Sequence, residues 1–202
     1  MLDLLFTNPI LFFIWALSLI VAVTIHEFSH AWVADYLGDP TARLLGRKTL
    51  NPLAHLDPLG TIALLIAHIG WGKPVPVDPY NLDNPKRDNM LISLAGPGSN
   101  LILAILLSVI GKTLLPQLLF FFYPLIALNI GLGIFNLLPV PPLDGSKILF
   151  GLLPANLAQE YEDFTNQAGI ILLLLMLFPI GGNSLAGLVI SPIIDRILNL
   201  LL

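Results

Sequence analysis

The segment His26-Glu27-Phe28-Ser29-His30 puts two imidazoles and a carboxylate within five residues. Histidines four apart lie on one face of a helix, and a glutamate following the first projects about 100° round from it. Two neutral imidazoles on one helix face can hold a zinc ion, and the neighbouring carboxylate can take a proton from a water that the metal activates. A catalytic zinc needs three protein ligands and one open position. The segment therefore offers two ligands, His26 and His30, and a base, Glu27, and lacks one ligand. The chain has no cysteine, which excludes thiolate sites and disulfides and leaves His, Asp and Glu to complete the set. The candidates are Asp144, His55, Asp57 and His68.

The element that must carry these residues is apolar. Of 202 residues, 56% are hydrophobic and 11% charged, against about 25% charged in soluble domains, and the mean hydropathy is +0.86. Asn8 suits a helix cap and Pro9 the first helical position. Pro9 to Asp35 is 27 residues, roughly 40 Å of helix and enough to cross a bilayer. His26 precedes Asp35 by nine residues, which sets it about 13 Å below that polar end. Met1-Leu2-Asp3 lacks the basic start of a signal peptide, so the first helix is expected to be retained. Ionisable side chains in such a setting cost a few kcal/mol and point to function. The plain alternative is buried polar residues that tie helices together.

Downstream the sequence predicts one all-α membrane domain over 1–202 with five to six transmembrane helices, at about 9–35, 90–111, 118–138, 165–180 and 184–202. A short β-hairpin or re-entrant insertion follows the first helix at 41–77. In it, residues 41–50 suit a short strand, and the apolar run after Asn51-Pro52-Leu53-Ala54-His55-Leu56-Asp57-Pro58-Leu59-Gly60 is too short to span. Lys73-Pro74-Val75-Pro76-Val77 reads as an extended edge. Five spans with the N-terminus outside put eight of the nine Lys and Arg residues on the cytoplasmic side, as the positive-inside rule asks. That topology also brings Asp144 to the side of the membrane nearer His26. Three prolines in Pro139-Val140-Pro141-Pro142 stiffen the chain before Asp144. Asp144 thus leads the candidates for third ligand, although an Asp-Gly pair is also a common turn.

Other polar residues carry weaker signals. His55 and Asp57 sit in a proline-rich turn that explains them structurally, and His68 on its apolar run reads as a satisfied buried histidine. Asn100 and Asn136 suit either helix–helix hydrogen bonds or donation to an oxyanion in the site. Gly96, Pro97 and Gly98 suit close helix approach. No basic patch, phosphate loop or repeat is present, so nucleic acid is not an expected partner.

Taken together, His26-Glu27-Phe28-Ser29-His30, the 51–60 segment, Lys73-Pro74-Val75-Pro76-Val77, Ala95-Gly96-Pro97-Gly98-Ser99-Asn100 and the 136–145 segment resemble the site-2 protease family in content and order. These are intramembrane zinc metalloproteases, and the likeness is to the compact bacterial or archaeal form without a PDZ domain. The resemblance implies Zn2+ held by His26, His30 and Asp144, with Glu27 as acid/base. It also implies cleavage of transmembrane protein substrates within the lipid bilayer of a prokaryotic cell membrane, with the site nearer the cytoplasmic face. The family often has Asp-Gly-Gly where this chain has Asp144-Gly145-Ser146. The competing class is a membrane protein that binds or transports a divalent metal through the same residues. It is disfavoured because transporters usually show symmetry between halves, which this chain lacks, and because transport leaves Glu27 without a role.

Overall fold

A computed structural model of the chain describes residues 2–67, 70–180 and 182–202. A short helix α1 (Leu2–Thr7) leads into α2 (Pro9–Tyr36), where the Asn8 side chain accepts from the Leu11 amide at 3.1 Å and Pro9 opens the first turn. Helices α3 (Thr41–Leu44) and α4 (Pro58–Ala67) follow. The next long element, α5 (Pro85–Thr113), is capped by Asn84 and runs unbroken through Pro97. A proline there loses one helical hydrogen bond, a loss that packed neighbours can absorb in a membrane protein. Then come α6 (Leu119–Asn136), α7 (Asp144–Leu152), α8 (Ala155–Leu177) and α9 (Leu185–Leu201).

Two expectations are corrected. Among the described residues three helical segments, not five or six, are long and apolar enough to cross a membrane: Pro9–Tyr36, Pro85–Thr113 and Pro116–Asn136. The first half of α8 carries Glu160, Glu162 and Asp163, which leaves too short an apolar run. Helix α9 has 17 residues, with Pro192, Asp195 and Arg196 among them, and a span needs about 20. Nor, among the described residues, does a β-hairpin form in the 41–77 insertion. Thr41–Leu44 of the expected strand form α3, and the insertion's one described antiparallel bridge joins Leu56 to Gly72. Pairing stops beyond it because Pro74 and Pro76 have no N–H to offer a ladder; the Lys73 amide bonds the His55 carbonyl beside the bridge, and the Val75 amide goes to Glu27. A two-residue pairing of Pro179–Ile180 with Asn183–Ser184 connects α8 to α9.

Helix α5 lies at the centre, against α2, α6 and α7. Ala34, Leu82 and Ile92 form one buried apolar cluster, and Ala104, Ile126 and Ile130 another. Between Ile92 and Ala104 along α5 lies a buried polar layer that contains Asn100, in contact with His26 and Asn129. Asp39 closes the base of the insertion. Its carboxylate accepts from the Thr41 amide at 3.1 Å, the Asp78 amide at 2.8 Å and the Asn81 side chain at 2.9 Å. Burial alone pushes the Asp39 carboxyl up, but the hydrogen bonds from Thr41, Asn81 and Asp78 outweigh it and hold the group below its ordinary value.

Candidate metal centre

His26 and His30 lie one turn apart on the buried face of α2. Helix α5 supplies the partners that orient both rings. His26 Nδ1 is 2.7 Å from Asn100 Oδ1, and His30 Nδ1 is 2.7 Å from the Ile92 carbonyl oxygen. Both partners are acceptors, so each Nδ1 carries its proton and each Nε2 presents a lone pair. Asp144, the first residue of α7, completes the cluster: its Oδ2 is 3.1 Å from His26 Nε2 and 3.2 Å from His30 Nε2. The two Nε2 atoms are themselves 3.1 Å apart. Gly145 lets α7 start there, because a Cβ at this position would run into the Leu137 and Leu138 carbonyls at the end of α6.

Three lone-pair donors therefore face one another with no proton between them. Two imidazole nitrogens and a carboxylate oxygen so arranged repel unless a cation neutralises them. Their separations of 3.1–3.2 Å are close to the roughly 3.3 Å edge of a tetrahedron with ~2.0 Å bonds, the geometry zinc prefers with N and O ligands. By chemistry and spacing the three residues fit a zinc ion, and they are the described group of His, Asp and Glu residues that can hold a metal.

The space for this cluster comes from Gly96. A Cβ there would sit 2.6 Å from His30 Cε1 and 2.7 Å from His26 Cε1. Sequence reading assigned Gly96 to helix approach, and what approaches is the pair of imidazoles. Its place in a helix four residues from both Asn100 and Ile92 was the available signal, but nothing in the sequence shows which face of α5 meets α2.

The Glu27 side chain reaches the insertion, where its Oε2 accepts the Val75 amide at 3.1 Å. Val75 lies between Pro74 and Pro76, so its amide is the sole main-chain donor of that tripeptide. His55 is fully buried and is not one of the grouped ligands. Its Nε2 donates to the Thr49 carbonyl at 2.8 Å, and its own carbonyl accepts the Lys73 amide at 2.8 Å. Asp57 caps α4 through the Gly60 amide at 2.8 Å. His68 lies outside the described residues. Asn136 Nδ2 bonds one turn back to the Leu132 carbonyl at 3.0 Å. The Asn100 amide donates to the Ala22 carbonyl at 3.0 Å and to Asn129 Oδ1 at 2.7 Å. A cleft of about 410 Å³ runs from Val75 and Val77 across Ser146, Lys147 and Phe150 to Tyr161. That is a volume typical of ligand sites, and the cleft borders both the strap that holds Glu27 and the helix that begins with Asp144.

Comparison with known proteins matches residues 13–118 and 111–176 to the model of peptidase family M50. A Bacillus subtilis (strain 168) protein named as a zinc metalloprotease, YwhC, is 42% identical over 180 residues, covering 84% of this chain and 82% of its own. Rip2 of Mycolicibacterium smegmatis (strain ATCC 700084 / mc(2)155), also named as a zinc metalloprotease, is 35% identical over 73% of this chain and 57% of its own length. Zinc metalloprotease MJ0392 of Methanocaldococcus jannaschii is 29% identical over 72% of this chain and 36% of its own. The chain thus spans most of YwhC and a little over half of Rip2. No solved structure matches.

Proposed function

The chain belongs to peptidase family M50, the site-2 protease family, and on that premise we propose that it hydrolyses peptide bonds within or near transmembrane segments of other membrane proteins. It is a multi-pass membrane zinc metalloprotease. The observation that carries the finer reading is the convergence of His26 Nε2, His30 Nε2 and Asp144 Oδ2, with spacings of 3.1–3.2 Å, among helices long and apolar enough to cross a membrane.

In this reading His26, His30 and Asp144 hold the zinc, which when bound supplies Lewis acidity for water activation and carbonyl polarisation. Asn100 Oδ1 and the Ile92 carbonyl keep the two Nε2 lone pairs aimed at the metal. Glu27 is the proton carrier. Val75 holds Oε2, which leaves Oε1 to take a proton from water and hand it to the leaving amine. The substrate must be extended at the scissile bond, since a helical carbonyl is shielded by its own hydrogen bond. The cleft beside Val75 is where such a segment would lie. Asn136 and His55 act outside the chemistry, one at the end of α6 and the other in the turn that supports residue 73.

Charge placement supports a site nearer the cytoplasm. With three spans and the N-terminus outside, seven of the nine Lys and Arg residues fall inside, Lys112 falls outside, and Arg196 lies in α9. The test is Glu27→Gln in a membrane-reconstituted cleavage assay with a transmembrane reporter. Zinc content should stay at the parental level while cleavage disappears. Undiminished cleavage would refute the assignment of the base, and a parent that binds zinc without cleaving any reporter would favour a metal-binding role.

A further inference from the structure

We propose that Asn129 is a positioning residue for the metal centre: acting through Asn100, it keeps the His26 proton on Nδ1 and so leaves the Nε2 lone pair for the zinc. The inference rests on the zinc reading above and adds a residue from a third helix to it.

The hydrogen bonds donate in one direction, from α2 through α5 to α6. Asn129 Nδ2 donates to the Leu125 carbonyl at 2.8 Å. Its Oδ1 accepts from Asn100 Nδ2 at 2.7 Å, and the second Asn100 proton goes to the Ala22 carbonyl at 3.0 Å. Asn100 Oδ1 is then left to face His26 Nδ1 at 2.7 Å. Side-chain amides look alike from either end, and their orientation follows from their partners. Here two main-chain carbonyls, which can only accept, anchor the chain. Reversing Asn100 would turn its oxygen toward the Ala22 carbonyl and Asn129 Oδ1, two acceptors. Reversing Asn129 as well would turn its oxygen toward the Leu125 carbonyl.

The reversed state matters because of what it does to His26. An Asn100 NH2 group facing Nδ1 would make that nitrogen the acceptor and move the ring proton to Nε2. That proton would point at His30 Nε2 and Asp144 Oδ2, where the metal sits. With Asn129 in place, two acceptors oppose the reversal. Without it, only the Ala22 carbonyl does. Asn100 and Asn129 are both fully buried, so water cannot take over the lost acceptor without cost.

A purely structural Asn129 would tie α5 to α6 through the same hydrogen bond to Asn100, and its loss would leave the His26 proton on Nδ1, which would overturn the proposal. A double-mutant cycle on zinc affinity tests the route through Asn100. It is measured by chelator competition in the full-length reconstituted protein, with zinc itself as the probe. Asn129→Leu should weaken zinc binding by about tenfold, the lower end for loss of a partner that orients a metal-bound histidine. In an Asn100→Ala background the same change should alter affinity by less than about twofold. Asn129→Ala, which adds no bulk, gives the same pair of measurements if the leucine variant fails to fold. In the zinc-free protein, 15N spectra of labelled histidine should show His26 protonated at Nδ1 in the parent and shifted toward Nε2 in Asn129→Leu. Unchanged affinity in Asn129→Leu and Asn129→Ala, or effects that simply multiply in the double mutant, would overturn the proposal while leaving the zinc site intact. A parent that binds no zinc would overturn both.

Discussion

Gly96→Ala tests the arrangement at its tightest point. The added Cβ would lie 2.6 Å from His30 Cε1 and 2.7 Å from His26 Cε1, where ordinary contact begins at 3.4 Å. His30 Nε2 is closer still, so one side must move by at least about 0.8 Å, and α5 has little freedom to do so. Its far side abuts α6, where even a Cβ on Gly133 would come within 3.2 Å of the Pro97 carbonyl. The rings must therefore give. A shift of about 0.8 Å stretches the 2.7 Å bonds from Nδ1 to Asn100 and to Ile92 to about 3.5 Å, beyond the usual hydrogen-bond range. Losing one such partner costs roughly 10- to 100-fold in metal affinity. With both rings displaced, zinc binding should weaken by at least about 100-fold, or about 2.8 kcal/mol. Chelator competition in nanodiscs gives the affinity, elemental analysis the stoichiometry, and circular dichroism checks that the helices remain. Gly98→Ala is the control: nothing lies within 4 Å of its Cβ, and alanine is the better helix former by up to about 1 kcal/mol. Zinc affinity in Gly96→Ala equal to that of Gly98→Ala would refute the reasoning.

The same geometry yields further expectations. Asp144→Ala should lower zinc content in the purified protein to a small fraction of the parent's, read by elemental analysis, with the helices retained by circular dichroism. Val75→Pro removes the amide that holds Glu27 Oε2. Hydrogen bonds to charged groups contribute about 1.5–3 kcal/mol, so kcat should fall at least about tenfold further than in Val75→Ala, which keeps the amide, with zinc content equal in both. Asp39 is held below its ordinary pKa, so its contribution to stability is full above the unfolded value near ~3.9. That contribution is lost as pH falls through the lower folded value. Denaturation midpoints of the parent and of Asp39→Asn should therefore differ at pH 6 and draw together below about pH 3.9.

Which parts of this molecule were legible in the chain follows from the range of the interactions involved. The helix that carries His26 and His30 is local: Asn8, Pro9 and a long apolar run specify it, and the four-residue spacing puts both imidazoles on one face whatever surrounds them. Asp144 was reachable because membrane topology carries information over long distances. Three spans precede Asp144 in either count, so the overcount of α8 and α9, which follow it, left its expected side unchanged. That overcount came from accepting apolar runs shorter than a span: the run at 165–180, left short by the acidic first half of α8, and the 17-residue α9.

The insertion shows the opposite case. The mix of branched and basic residues at 41–50 suggested a strand, but a strand needs a partner, and the prolines at 74 and 76 deny it one. Asn100 is similar, since its residue type says only that it will hydrogen-bond. Whether it serves an oxyanion, a helix contact or a histidine depends on which residues of α2 and α6 it meets.

The sequence by itself determined the chemistry: two imidazoles and a carboxylate on one apolar helix, no thiols, and an aspartate at the matching depth. Only the tertiary structure decided how that chemistry is aimed. The Nδ1 partners of His26 and His30 lie 74 and 62 residues away, and the amide that holds Glu27 lies 48 residues away. No local periodicity carries such pairings, because they depend on the face that one helix turns to another, and that is set by packing at positions such as Gly96.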